Sequence, residues 1–329
     1  MTERRNNLPR VTKRQSDFFQ LNGYVVIDGI LDPVRDIEPI ITDYRICLDR
    51  LEQAWLETGR INMARSDLSF EKRVAKHIVE DGINMARCFD ISLPDDVITD
   101  DESLHLSEPV FKLLTHQGLL DVVEYFVGPE ILSNPIQHVR IKPPERDVVA
   151  EFDQPFLFGQ TGWHQDQGVA RPHADETNML TVWIPIKDTT TTNGCLQVVP
   201  GSHRSGLTTH CPTRKGLTIP ERQLHGVPTP VPMKAGSILL IHKLTQHASL
   251  RNESDRARWS FDLRYQPIGQ PTGREEFPGF VARSRKAPST ELRDYHEWVR
   301  LWDEARRTLS RKQERIKKHR WSADSAVCA

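Results

Sequence analysis

The stretch Met179-Leu180-Thr181-Val182-Trp183-Ile184-Pro185-Ile186 decides the fold class, because it is a short run of β-branched and aromatic residues that favour strands. Four similar runs are separated by turns rich in Pro, Gly and Thr: Ile136–Ile141, Cys195–Val199, Ser237–Ile241 and Ala257–Tyr265. Short strands at such spacing are typical of a sandwich or barrel. The polar stretch Asp188–Asn193 predicts an exposed loop between two of them.

Helices are predicted on either side of this β-rich region. A short helix from about Ser16 should end at Gly23, ahead of a strand over Tyr24–Ile27. Longer helices should open at Asp32-Pro33 and at Ser107-Glu108-Pro109, where a cap and an early proline precede apolar residues at three- and four-residue steps. A charged helix is predicted over Glu291–Lys318. We interpret all of these helices as packing elements and assign them no chemistry.

One domain is expected to span residues 1–329. Residues 1–12 should be a flexible amino terminus, about 130–267 the β-rich core, and about 285–329 a carboxyl-terminal helical tail. Charged residues make up 27% of the chain and hydrophobic residues 37%, which are ordinary values for a globular protein with a sizeable core.

Charge and hydropathy exclude two kinds of partner. A formal net charge of −1 argues against non-specific nucleic-acid binding, which needs a basic surface. No apolar run approaches the ~18 residues that a membrane helix needs. We therefore expect neither nucleic acid nor membrane as a partner, and the sequence indicates no oligomeric state.

The cysteines point to a compartment. There are five, an odd number, widely spaced and without a CxxC pair: Cys47, Cys88, Cys195, Cys211 and Cys328. This pattern favours reduced thiols over a disulfide framework or a zinc module. A cytoplasmic location is therefore expected.

Two histidines and one carboxylate in the β-rich region form a possible metal-ligand set. His164 and Asp166 lie two residues apart, so in an extended strand their side chains point to the same side while Gln165 faces away. His247 would provide the third ligand, and His242 is the competing candidate. Such a set leaves open positions on the metal, which is typical of non-haem Fe(II) oxygenases rather than of closed structural zinc sites.

Several motifs around these residues resemble one enzyme family. They are Trp163–Asp166, Thr181–Ile186, Asn193–His203, Gly236–His242 and the series His247-Ala248-Ser249, Asn252, Ser254 and Arg258. With the early segment Leu21–Ile27, they resemble the phytanoyl-CoA dioxygenase family of Fe(II)/2-oxoglutarate-dependent oxygenases. The resemblance implies a mainly β fold with helical elaborations, the cupin-like double-stranded β-helix or jelly-roll, in which two sheets enclose a metal site.

The resemblance also assigns the metal ligands and the cosubstrate anchor. His164, Asp166 and His247 would bind Fe(II), and only His247, not His242, stands at the family's spacing from Arg258. Arg258 would hold the remote carboxylate of 2-oxoglutarate, since a guanidinium offers a planar, two-pronged donor.

Three further side chains are expected beside the cosubstrate. Ser249 would donate its hydroxyl to the remote carboxylate, Trp183 would wall the pocket, and His138 lies on a strand that borders the cosubstrate in relatives. His138 and Arg140 share one face of that strand, and the sequence does not tell which face points inward.

Other positions receive weaker expectations. Thr99 stands where some relatives have a lysine, which puts that part of cosubstrate binding in doubt. Gln165 and Trp163 flank the metal motif, where they could shape the substrate pocket or belong to the core. Arg251, Arg256 and Arg264 are the alternatives to Arg258 as the anchor, and we expect them to be solvated or structural. His173 and His210 have no assigned role, and we expect them to be exposed.

The expected activity is hydroxylation of a C–H bond of a small organic substrate by O2 and 2-oxoglutarate, with release of succinate and CO2. Desaturation, epimerisation and ring formation remain alternative outcomes. Halogenation normally requires a small residue where Asp166 stands, so its carboxylate argues against it. A cupin-like enzyme without 2-oxoglutarate and a catalytically silent binding protein are further alternatives, and Arg258 with an intact ligand set counts against both.

Overall fold

The computed structural model describes residues 11–94, 97–145, 161–213, 216–312 and 320–328. The predicted flexible amino terminus lies outside these ranges apart from Val11 and Thr12, and so does the stretch 313–319 of the predicted helical tail.

Two antiparallel sheets form the centre of the molecule. The larger has seven strands in the order β1-β9-β4-β11-β2-β12, with β3 also paired to β11, and the smaller has the order β10-β5-β8. The strands are β1 Tyr24–Ile27, β2 Glu130–Ser133, β3 His138–Lys142, β4 Leu180–Pro185, β5 Leu196–Val198, β6 Cys211–Thr213, β7 Gly216–Thr218, β8 Thr229–Val231, β9 Ile238–His242, β10 His247–Ser249, β11 Arg258–Pro267 and β12 Phe280–Ser284. Strands β6 and β7 form a separate hairpin.

The two larger sheets face each other across an apolar cluster. Trp183 and Leu239 of the large sheet share this cluster with Leu196 and Val198 of the small sheet. This is the predicted jelly-roll, with β4 and β5 inside the sequence runs that predicted strands and β9 extending one residue beyond its run. The predicted loop over Asp188–Asn193 is also confirmed, because these residues are turns and bridges between β4 and β5.

Strand β11 connects the core to the site, because its two faces have different chemistry. Trp259, Phe261, Leu263 and Tyr265 alternate with Arg258, Ser260, Asp262 and Arg264 along the strand. The first set belongs to the main apolar core, where Trp259 lies 4.9 Å from Tyr44 between ring centroids. Since successive strand residues point to opposite faces, the polar set points into the space between the sheets.

Helices cover the outer face of the large sheet, as predicted. They are α1 Lys13–Asn22, α2 Glu38–Glu57, α3 Phe70–Val79, α4 Met85–Phe89, α5 Glu108–Leu114, α6 Gln117–Val127 and α7 Tyr295–Lys312. Trp298 and Trp302 of α7 are fully buried against α5 and Phe277. Among the described residues, no helix is both long enough and apolar enough to cross a membrane.

Several helix boundaries differ from the sequence predictions: a π-helical turn, Pro33–Ile37, precedes α2, and α7 begins at Tyr295 rather than at Glu291. Gly23 ends α1 in the left-handed conformation (φ 77°), as expected, but α1 begins at Lys13 because Thr12 and Gln15 form a capping box. The helix predicted from Ser107 is two helices, α5 and α6. His116 caps α6 by accepting a hydrogen bond from the Leu119 amide at 3.2 Å, and this cap separates α6 from α5.

The prediction of five reduced thiols is wrong, because Cys211 and Cys328 form a disulfide. Cys47, Cys88 and Cys195 are free. The bonded pair is 117 residues apart in sequence and joins β6 to the carboxyl-terminal segment. Spacing alone gave no sign of this contact, and the expectation of a cytoplasmic location loses the argument on which it depended.

Candidate metal centre and cosubstrate site

Three predicted ligands converge at one end of the small sheet. His164 and His247 exchange two backbone hydrogen bonds of 2.9 Å, so their side chains are neighbours. Asp166 is the first residue of a short 3-10 turn that ends at Val169. One ligand atom each from His164, Asp166 and His247 lies within 4.8 Å of the other two.

The backbone between the first two ligands explains this convergence. Gln165 is extended (φ −117°, ψ 140°), so His164 and Asp166 point to one side and Gln165 to the other, as predicted. The Gln165 side chain donates to the carbonyl oxygens of Gly206 and Leu244 at 2.8 and 2.7 Å. The Gln165 side chain therefore holds the motif from the side opposite His164 and Asp166, and it does not line the cavity that these two residues share.

Both histidines have the tautomer that suits a metal ligand. Nδ1 of His164 lies 2.9 Å from the carbonyl oxygen of Gly162, and Nδ1 of His247 lies 3.0 Å from that of Thr245. A carbonyl oxygen can only accept, so each Nδ1 carries the proton and each Nε2 keeps its lone pair. Burial and the neighbouring His247 lower the pKa of His164 to about 3, so the ring is neutral.

Asp166 is a buried carboxylate held by two donors. Thr181 donates its hydroxyl hydrogen to Oδ2 at 2.6 Å, and Arg264 donates to Oδ1. Burial would raise the pKa of Asp166, but Arg264, His247 and His164 bring it well below its usual range. The carboxylate is therefore ionised and oriented.

Arg264 has a larger part in the site than the sequence suggested. It is buried, and its second nitrogen donates to the carbonyl oxygen of Ile136 at 2.7 Å. The expectation of a structural role is met, but the contact with Asp166 was missed. The alternation of polar and apolar residues along β11 could have revealed it, since this pattern places Arg258 and Arg264 on the same face.

A cavity of about 710 Å³, including its open mouth, connects the ligand cluster to Arg258. Arg258 is buried, and its guanidinium lies 5.7 Å from the ring centroid of Trp183. One nitrogen donates to Ser260 at 2.7 Å, whereas Nε has no hydrogen-bond partner among the described residues. Burial lowers the pKa of Arg258 to about 10, yet the group stays charged at neutral pH.

The other predicted cosubstrate residues are distributed around this cavity. Trp183 and His138 line it, and so does Arg140, which identifies the inward face of β3. His138 is held by Asp90, whose carboxylate lies 2.8 Å from Nδ1. Ser249 lies beside Arg258 in a smaller adjoining cavity, and its hydroxyl oxygen accepts a hydrogen bond from the Thr161 amide at 2.7 Å.

The structure shows where the residues with weaker expectations lie. Trp163 belongs to a small apolar cluster with Val199, Ile219 and Ala248. His242 lies 5.1 Å from His203 between ring centroids and is absent from the described lining of the main cavity. His173 is exposed, as predicted. The expected exposure of His210 is wrong: it is fully buried, and burial lowers its pKa to about 4.

Comparison with known proteins places the chain in a family. The sequence model of the family described as phytanoyl-CoA dioxygenase (PhyH) matches residues 19–260. The chain therefore belongs to the phytanoyl-CoA dioxygenase family.

Two relatives match over most of the chain. It is 24% identical to the phytanoyl-CoA dioxygenase of Arabidopsis thaliana over 273 residues, which are 77% of this chain and 88% of the relative. It is 25% identical to the peroxisomal phytanoyl-CoA dioxygenase of Bos taurus over 271 residues, 80% of this chain and 70% of the relative.

A solved structure confirms the fold. The apo form of the non-haem monooxygenase ThoJ superposes with a TM-score of 0.53 and 17% identity, covering 91% of this chain and 98% of that chain. Family and fold together define the class: the chain is a 2-oxoglutarate-dependent non-haem iron dioxygenase, with iron and 2-oxoglutarate as its cofactors.

Proposed function

We propose that the chain hydroxylates a C–H bond of a small organic substrate, with release of succinate and CO2. His164, Asp166 and His247 hold Fe(II), and Arg258 anchors 2-oxoglutarate. One observation carries the proposal: three ligand atoms within 4.8 Å of one another share a cavity with a buried arginine that has an unpartnered donor among the described residues.

The donor set fits Fe(II). Two imidazoles and one carboxylate are the ligands of the facial triad, which leaves positions for a chelating cosubstrate and O2. The hydrogen bonds from Nδ1 of both histidines fix the ring orientation, as outer partners of metal ligands do. When bound, iron supplies the redox chemistry that couples oxidation of 2-oxoglutarate to oxidation of the substrate.

Arg258 fits a carboxylate. A buried donor without a partner is unfavourable, and a bidentate carboxylate would satisfy it in a dry site. Trp183 packs beside the guanidinium, and Ser260 orients it from the same face of β11. These contacts fix where the remote end of 2-oxoglutarate lies relative to the metal ligands.

The rest of the cavity is left for the substrate. Arg140 and Asp262 provide polar groups there, while Ile136 and Val169 provide apolar surface that excludes water. Such a lining suits a small organic molecule with both polar and apolar parts.

Iron-loaded protein, prepared without oxygen, tests the proposal when it is incubated with 2-oxoglutarate and O2 in the presence of a metabolite library. Mass spectrometry should detect one product that gains a single oxygen atom, with succinate released in step. The Asp166→Ala variant is the matched control and should yield neither. A product lighter by two hydrogens, or of unchanged mass, would replace hydroxylation by desaturation or epimerisation within the same class.

A further inference from the structure

The carboxyl-terminal segment Arg320–Cys328 lies against the turn that follows the metal motif. Trp321 donates its indole N–H to the carbonyl oxygen of Gly168 at 2.7 Å. Arg320 donates to both carboxylate oxygens of Asp175, at 2.5 and 2.6 Å, and to the carbonyl oxygen of Ala170 at 3.1 Å. The segment therefore contacts the backbone directly after Asp166.

A second set of contacts links Trp321, through His210, to the backbone of Gln165, which lies between His164 and Asp166. Trp321 stacks on His210, with ring centroids 4.9 Å apart and an interplanar angle of 26°. Nδ1 of His210 lies 2.8 Å from the carbonyl oxygen of Thr208 and so carries the proton. Nε2 therefore accepts the hydrogen bond from the Gln165 amide, at 2.8 Å.

His210 is packed tightly against the same turn. A Cβ built on Gly168 would lie 2.4 Å from a carbon of the His210 ring. The imidazole therefore fills the space in front of Gly168, and Trp321 stacks on the same ring. The conformation of the turn and the position of the ring depend on each other.

A covalent bond fastens the segment at its far end. Cys328 is bonded to Cys211, which directly follows His210, and Arg222 donates to the carbonyl oxygen of Val327 at 2.5 Å. The disulfide thus tethers the segment to strand β6, which begins directly after His210, and His210 in turn supports the metal motif. The family match ends at residue 260, so neither the segment nor its tether is part of what the family membership implies.

We infer that Trp321 and His210 are positioning residues for the iron site. They hold residues 165–168 in the conformation that places Asp166 beside His164 and His247, and the disulfide between Cys211 and Cys328 keeps Trp321 in place. The inference rests on the proposed function, because it takes the three ligands as the metal site. A merely structural tail would change thermal stability without changing metal affinity.

The first test measures affinity with Co(II) alone as the probe, followed by its visible absorption in the full-length protein. Trp321→Ala should raise the Kd by about tenfold, at the lower end of the ~10–100-fold range for loss of an outer partner of a metal ligand. Trp321→Phe keeps a ring on His210 but loses the indole N–H, so it should recover most of the affinity. Ala323→Ser, at an exposed neighbouring position, should match the wild type.

The second test breaks the tether. A dithiol gives two electrons and two protons to the Cys211–Cys328 bond, which yields two thiols while the reagent becomes a cyclic disulfide. This treatment should raise the Kd for Co(II) in the wild type. It should have the same effect in the control variant Cys47→Ser, because Cys47 is a free cysteine outside the disulfide. Cys328→Ser should show the weaker affinity without dithiol and no further change with it.

Hydrogen exchange of the metal-free protein separates this inference from the proposed function. In Trp321→Ala, and in the wild type after dithiol treatment, the amides of residues 165–168 should exchange faster. Unchanged exchange and an unchanged Kd would overturn the inference. If Trp321→Ala fails to fold, Cys328→Ser and the dithiol arm decide. If the wild type binds Co(II) no better than Asp166→Ala, the proposed function fails, and the exchange measurement still decides whether Trp321 holds the turn.

Discussion

The guanidinium of Arg264 donates a hydrogen bond to Oδ1 of Asp166, so a cation supports the only carboxylate of the proposed metal site. Thr181 donates to Oδ2 of the same group. An anion that is both neutralised and oriented in this way can present one oxygen to a metal without rotating.

Replacing Arg264 should therefore weaken metal binding. Arg264→Met removes the donors but keeps the length of the side chain, and the Kd for Fe(II) should rise by about 10–100-fold. Arg264→Lys, which keeps the charge, should lose less. Competition with a colorimetric iron chelator under nitrogen measures both values. An unchanged Kd in a folded Arg264→Met protein would show that Asp166 needs no such support.

Replacing Arg258 should separate the cosubstrate from the metal. Arg258→Ala should leave the Kd for Fe(II) nearly unchanged and sharply raise the KM for 2-oxoglutarate, since leaving one partner of a buried charged pair alone costs on the order of 2–5 kcal/mol. Arg251→Ala is the control, because Arg251 is 65% exposed and pairs with Glu145. Turnover with an unchanged KM would move the anchor to another arginine, and Arg140, which also lines the cavity, would be tested next.

Halide should not enter the reaction of the native enzyme. Asp166 is predicted to occupy the position on iron that a halide would need, so added chloride or bromide should give no halogenated product. Asp166→Gly should lose hydroxylation and gain weak halide binding. Mass spectrometry distinguishes a hydroxylated from a halogenated product, and a halogenated product from the wild type would contradict the assignment of Asp166 as a ligand.

Stability should depend on pH through His105, which lies away from the site. Burial lowers the pKa of His105, but the hydrogen bond to Asp43, 2.6 Å long, and the interaction with Cys47 outweigh it and raise the pKa to about 9. A raised folded-state pKa stabilises the protein below the unfolded value of 6.5, and this contribution disappears as the pH rises through about 9.

His105→Gln should therefore lower the free energy of unfolding most at pH 6, and the difference from the wild type should shrink towards pH 9.5. Urea unfolding at several pH values measures it. The control variant is His296→Gln, at an exposed histidine. A difference that does not change with pH would mean that His105 is neutral in the folded protein.

Local sequence patterns predicted what depends on periodicity. Strand alternation placed His164 and Asp166 on one side, and the same rule puts Arg258 on the inward face of β11. The jelly-roll followed from strand spacing and from motifs that the family shares. These features are encoded within a few residues of one another, so a single sequence contains them.

Contacts between distant segments were not predictable in this way. The bond between Cys211 and Cys328, the stacking of Trp321 on His210 and the contact of Arg264 with Asp166 join residues far apart in the chain. Each depends on where whole elements pack, and no local periodicity reports that. His210 was expected to be exposed for this reason, although it is fully buried.

Anaerobic calorimetry of 2-oxoglutarate binding tests the central claim most directly. The iron-loaded wild type should bind one equivalent of 2-oxoglutarate, and the metal-free protein should bind it far more weakly, because the cosubstrate needs both the metal held by His164, Asp166 and His247 and the anchor Arg258. Asp166→Ala should behave like the metal-free protein even when iron is added. Equal binding of 2-oxoglutarate with and without iron, or binding that Asp166→Ala leaves intact, would contradict the account.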